Sequence, residues 1–186
     1  MSSAVVVAIV VVVVVLVAAG LLIGAWSMLR RRRLHKKFGP EYDRTMEEME
    51  SRKAAERELT ERERRHAEFD IRELSEEQKQ RYRTEWAHMQ ERFVDAPADA
   101  VTEADQLVAD IMAERGYPTE GYDQQLADLS VEHAATVGHY RAAHEIATRR
   151  SGTRSTEDMR FAVVQYRELF EDLLDGAPED KKDAKQ

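Results

Sequence analysis

His144 and Glu145 open an H-E-x-x-H pattern, the spacing that sets two imidazoles on one helix face around zinc, with the glutamate as general base. The fifth position is Thr148, so the second ligand is missing. His133 and His144 lie eleven residues apart, about 16.5 Å along a helix, which is too far to share an ion. His139 projects roughly 140° away from His144 on the same helix. The chain has no cysteine, which excludes disulfides, thiolate catalysis and cysteine metal sites. No G-x-S-x-G elbow and no phosphate-cradling loop occur among the eight glycines. Carboxylates are so abundant that no pair of them is diagnostic of acid–base chemistry. The expectation is therefore no catalytic residue, no metal, no cofactor and no enzymatic activity.

One stretch is chemically richer: Asp128-Leu-Ser-Val-Glu-His133, followed by His139-Tyr-Arg-Ala-Ala-His144. Asp128, His133, Tyr140, Arg141 and His144 can line a polar-aromatic groove that receives a partner segment. The plainer reading is a helix start, with Ser130 as N-cap and Glu132 favouring the helix dipole. Tyr140 and His144 then stack at i,i+4 on the edge of a core.

The elements that must position these residues are helical. Residues 4–29 contain only Ala, Val, Ile, Leu, Gly, Met, one Trp and one Ser. As a helix they reach roughly 39 Å, enough to cross a bilayer with some tilt. The cations follow the apolar run instead of preceding it, and the run is long, so a single-pass anchor fits better than a cleaved signal. The basic block of residues 30–39, with Arg30, Arg31, Arg32, Arg33, Lys36 and Lys37, orients the anchor. Positive flanks stay in the cytoplasm, which puts the N-terminus outside the plasma membrane and the rest of the chain inside. The same cations can meet anionic lipid headgroups, and Trp26 suits an interfacial rim. Gly20 and Gly24 form a G-x-x-x-G pair, through which two such helices can approach and make a homo-oligomer.

Net charge is −8 overall and, with those six cations set aside, −14 in the remainder. That balance argues against a nucleic-acid partner. Gly39-Pro40 ends the anchor, and residues 40–74 read as a charged spacer whose helix runs from Glu41 to about Phe69. Such a rod extends roughly 43 Å from the membrane. Residues 75–176 read as a small helical bundle. Ser75 with Gln78 caps a helix bearing Tyr82, Trp86, Met89 and Phe93 at helical spacing. Pro97 starts the next, with Val101, Ala104, Val108, Ile111 and Met112 on one face and Gly116 at its end. Tyr122–Leu129 is short. Residues 131–150 form a longer helix with Val137, Tyr140, His144 and Ala147. After a loop at 151–155, Ser155 and Asp158 cap a last helix with Met159, Val163, Tyr166, Phe170, Leu173 and Leu174. Residues 177–186 read as a disordered tail.

The blocks RRRRLHKKFGPEYDRTMEE, DLSVEH, YRAAHEIA and YRELFEDLL resemble an uncharacterised family of small helical membrane or "secreted" proteins frequent in actinobacteria. The resemblance spans residues 34–174. The family pattern has a proline after the DLSVEH-like block, where this chain has Ala134. The resemblance implies an envelope-associated helical protein and transfers no activity or site residue. Together these readings predict an all-α protein: a transmembrane helix, a charged spacer and a bundle, acting as a membrane-anchored interaction module with a protein partner. The alternatives are a ligand- or metal-responsive sensor or enzyme using the His133, Tyr140, Arg141 and His144 face, and a self-assembling structural membrane protein.

Overall fold

The computed structural model describes residues 3–149 and 154–176, which form eight helices and, among the described residues, no strand. The tail at 177–186 and most of the loop at 151–155 lie outside the described residues. Helix α1 spans Ser3–Phe38 and is long and apolar enough to cross a membrane. None of its apolar window is buried against the rest of the chain. A Val-rich run of this kind satisfies its backbone internally as a helix, the one form open to a lone segment in lipid.

The spacer is where the structure departs from expectation. It is not one rod: Gly39, at φ +46, and Pro40 turn the chain into α2 (Pro40–Glu48), and a second break at Met49 precedes α3 (Arg52–His66). Ser51 restarts the helix as its N-cap, its hydroxyl accepting from the Ala54 amide at 3.2 Å. Helix α2 doubles back along α1, placing Asp43 and Tyr42 beside His35. Helix α3 then runs in the same sense as α1, with Thr60 beside Arg30 and Glu63 beside Arg33. A small apolar cluster of Leu34, Phe38, Tyr42, Leu59 and Val131 closes this assembly, with Met46 packed against it. Each such side chain contributes about 1.5–3 kcal/mol when fully buried. One face of the last two turns of α1, carrying Leu34 and Phe38, is therefore core rather than linker, and among the described residues the spacer forms no single extended rod.

The remaining helices share a second, larger core. Helices α4 (Glu76–Arg92) and α5 (Pro97–Arg115) pack together, and α8 (Thr156–Asp175) packs on both α5 and α7 (Val137–Thr148). The expected stripes are the buried faces: Tyr82, Trp86 and Met89 of α4, all five apolar positions of α5, and all six of α8. Ser75–Gln78 and Ser155–Asp158 both form complete capping boxes. Gly116 closes α5 at φ +93, and a Cβ there would lie 2.5 Å from the Asp70 carbonyl oxygen. Only glycine lets the 70–72 segment approach so closely, where the Arg72 amide donates to the Arg115 carbonyl at 2.8 Å.

Candidate functional site

Helix α6 (Tyr122–Leu129) ends at Ser130, and residues 131–136 form turns before α7 starts at Val137. Ser130 is thus a C-terminal cap, its hydroxyl donating to the Ala127 carbonyl at 2.6 Å, and not the N-cap of a helix beginning at 131. This shift matters because it takes His133 off the helix and points it inward. Two of the five groove candidates are almost wholly enclosed, Asp128 and His133, and Tyr140 is buried with them. Arg141 and His144 are partly covered.

The five do not line an open groove. Two of them, Asp128 and Arg141, instead hold the chain's own α2–α3 hairpin. Arg141 donates to both Glu41 carboxylate oxygens, at 3.0 and 3.2 Å. Arg62 of α3 donates to the same carboxylate at 3.4 Å, to Ser130 Oγ at 3.4 Å and to Glu58 at 3.0 Å. Asp128 accepts from Arg65 Nε at 3.1 Å and from Gln124 at 2.8 Å. Glu41 and Arg62, the hairpin's half of this seam, are themselves buried. Buried charges of this kind persist only when paired and hydrogen-bonded.

Behind the seam lies a second polar chain. Arg115, also buried, donates to the Leu173 carbonyl at 3.1 Å and stands 3.4 Å from His133 Nε2. A guanidinium only donates, so Nε2 accepts and the ring proton sits on Nδ1, which donates to Asp172 at 2.9 Å. Burial works to raise the pKa of Asp172, but hydrogen bonds from His133 and Thr136, with the charge of Arg115, hold it below the usual carboxylate value. His66 of α3 meets Tyr117 at 5.8 Å between ring centroids, and Tyr117 meets His133 at 6.1 Å. Burial pushes the pKa of His66 down, partly countered by Glu132, whose carboxylate is 3.8 Å away. Tyr117 donates to that carboxylate at 3.0 Å, and burial first, then the Glu132 charge, push its phenol up.

His144 stacks on Tyr122 at 3.9 Å, closer than the 5.9 Å to Tyr140, and its Nδ1 donates to Asp105 at 3.2 Å. Tyr166 donates to the same oxygen at 2.9 Å, and Tyr140 donates to Gln125 at 3.4 Å. Burial pushes Tyr122 up to about 12. These groups are tied to one another by stacking and hydrogen bonds. Among the described residues no group of three or more His, Cys, Asp or Glu can hold a metal ion.

The basic block is divided between two roles. Arg33 and Lys37 both pair with Glu63, at 2.6 and 3.1 Å. Burial works against the charge of Glu63, yet these two cations hold its pKa below the ordinary value. Arg30 donates to Thr60 at 2.7 Å and lies over the Trp26 ring at 5.8 Å. Among the described residues, no carboxylate lies within 4.0 Å of Arg30, Arg31, Arg32 or Lys36. A cleft of about 640 Å³ opens between α1 and α3, lined by Trp26, Leu29, Arg30, Arg33, Leu34, Thr60 and Glu63. Gly20 and Gly24 sit on the exposed part of α1, with open space around each.

No protein-family model, curated protein or solved structure matches the chain. Function therefore has to be read from the geometry. Sequence reasoning missed Glu41, Arg62, Glu63 and Arg115, all charged residues in charged surroundings. One signal pointed to the first three: Leu34, Phe38 and Tyr42 continue an apolar stripe at four-residue spacing past the cationic block, which marks a buried face beyond any membrane span.

Proposed function

We propose that the protein is a membrane-anchored helical interaction module whose anchor and folded unit form one body. The observation that carries this reading is the continuity of α1. It runs without a break from its apolar stretch into the hairpin cluster, where Leu34 and Phe38 are 1% and 0% exposed. A flexible tether would leave the unit free to tumble; a continuous helix fixes which face it turns to the bilayer. The cations at 30–37 favour the unit on the cytoplasmic side of the plasma membrane and the N-terminus outside. The resemblance to envelope-associated actinobacterial proteins agrees with this role. A scaffold bundle built on α4, α5, α7 and α8 would present its outer faces to a protein partner, and pairing through Gly20 and Gly24 would make it a homo-oligomer.

The absence of cysteine makes the test direct. Ser3→Cys and Glu91→Cys each give the chain a single thiol, Glu91 lying on an exposed face. In intact cells, a membrane-impermeant maleimide should label the first and reach the second only after lysis. The opposite pattern would overturn the orientation, and recovery in the soluble fraction would overturn the anchor. In-cell crosslinking then addresses the interaction role, and recovery of lipid and self alone would count against it.

A further inference from the structure

We infer that the cleft between α1 and α3 is a binding site for one anionic phospholipid, a reading that rests on the membrane anchoring proposed above. Its two kinds of wall match the two ends of such a molecule. Trp26 and Leu29, exposed at the end of the apolar run, offer a surface for the upper acyl chain. Arg30 and Arg33 stand one turn further along the same helix and line the same cleft. A phosphate bound here would lie where the apolar stretch gives way to charge, the level at which headgroups lie.

The cleft is built, not a smear of basic residues. Thr60 accepts from one N–H of Arg30, and its own hydroxyl donates to the Glu56 carbonyl at 2.7 Å, so it fixes the arginine without competing for the phosphate. A guanidinium has five N–H donors, so Arg30 keeps four for a ligand. The one acid on the wall, Glu63, is held by Arg33 and Lys37 together. Arg33 is still 68% exposed while making that pair, and the local balance stays positive. Arg32 carries the same charge at the same depth but is not in this cleft. That difference separates a discrete site from general attraction of the basic block to an anionic surface.

The full-length protein in nanodiscs of phosphatidylcholine with a minor fraction of phosphatidylglycerol provides the test, using tryptophan quenching by acyl-brominated lipid. Trp26 is exposed whereas Trp86 is buried in the core, so Trp26→Phe defines the background. Brominated phosphatidylglycerol should quench Trp26 more than brominated phosphatidylcholine at equal mole fraction. Arg30→Gln should weaken that preference by about fivefold, the worth of one charge near the surface, and Arg32→Gln by much less. Thr60→Val, which frees Arg30 from its tether, should also weaken it, whereas Glu63→Gln should strengthen it. Equal loss for Arg30→Gln and Arg32→Gln would overturn the site in favour of diffuse attraction. Equal quenching by the two lipids would overturn it outright. If the wild-type protein does not enter neutral nanodiscs at all, the anchoring reading fails and the site falls with it.

Discussion

Replacing Glu41 with Gln tests whether the polar seam holds the hairpin to the rest of the protein. The side chain of Glu41 is 5% exposed and faces Arg62 and Arg141, which are 10% and 21% exposed. Glutamine keeps the shape and one acceptor oxygen but removes the charge shared by two guanidiniums. Breaking a buried pair by removing one partner costs about 3–5 kcal/mol. Here Arg62 retains Glu58, and Arg141 is partly hydrated, so the cost falls to about 2–3 kcal/mol. A small part of it is the lost carboxylate in the first turn of α2, worth roughly 0.3–1 kcal/mol. Since Glu41 touches the core only through Arg141, the penalty should appear as local opening. Hydrogen exchange of the full chain in nanodiscs should then speed up roughly 30- to 150-fold over α2 and α3, with α5 and α8 amides keeping their protection. Adding Arg141→Met should recover part of the loss, because the orphaned guanidinium is removed. Unchanged exchange in α2 and α3 would refute the reasoning, and so would an equal rise in α8, which would show that the hairpin does not open separately.

Other substitutions probe other joints. Gly116→Ala should cost about 2–3 kcal/mol in chemical denaturation, because both its φ and the Asp70 carbonyl oppose a Cβ; Gly121→Ala, at φ +77 with open space around it, should cost only about 1 kcal/mol. Phe38→Ala, at a position with no exposure, should cost about 3–5 kcal/mol and expose the Gly39 region to protease. The pH dependence has two windows. Burial depresses the pKa of His66, so the unfolded chain binds that proton more tightly, and the stability is fully present above about pH 6.5 and lost progressively below it, as pH falls through the lower folded-state value. Glu63 and Asp172, also held low, contribute stability present above about pH 4.5 and lost below it. Urea midpoints measured across both windows should flatten in the upper one alone for His66→Phe; a persistent upper slope would assign it to another group.

Much of the larger core was legible because its information is local. The spacing of Tyr82, Trp86 and Met89, the Pro97 start, the Gly116 stop and the two capping boxes each act within one helix, and each recurs in the structure. The start of α7 was not legible. Nothing in Val131–Thr136 forbids a helix; what holds these residues as turns is tertiary. Val131 packs into the hairpin cluster, and His133 and Thr136 both donate to Asp172, 39 and 36 residues away. The break between α2 and α3 was hidden differently. Ser51 is a sound N-cap, but it sits in the charged run from Glu47 to Lys53, which does not show that one helix ends and another begins.

The charged stretch shows why such a region misleads. Its i,i+4 pairs invite the reading of a self-sufficient solvated rod, and some of them do form, as between Arg44 and Glu48. An exposed pair of that kind contributes a few tenths of a kcal/mol and dictates no tertiary contact. The residues that decide where α2 and α3 go are of the same types: Glu41, Arg62 and Glu63. They differ only in facing Arg141, Ser130 and the end of α1. Glu41 and Arg141 are 100 residues apart, so no window along the chain contains both. A charge becomes structural when it is buried, and here burial is set by four apolar residues, Leu34, Phe38, Tyr42 and Leu59, scattered through the cationic and acidic runs. In such a segment the sparse apolar positions carry the fold information, and the charges report it only after their partners are known.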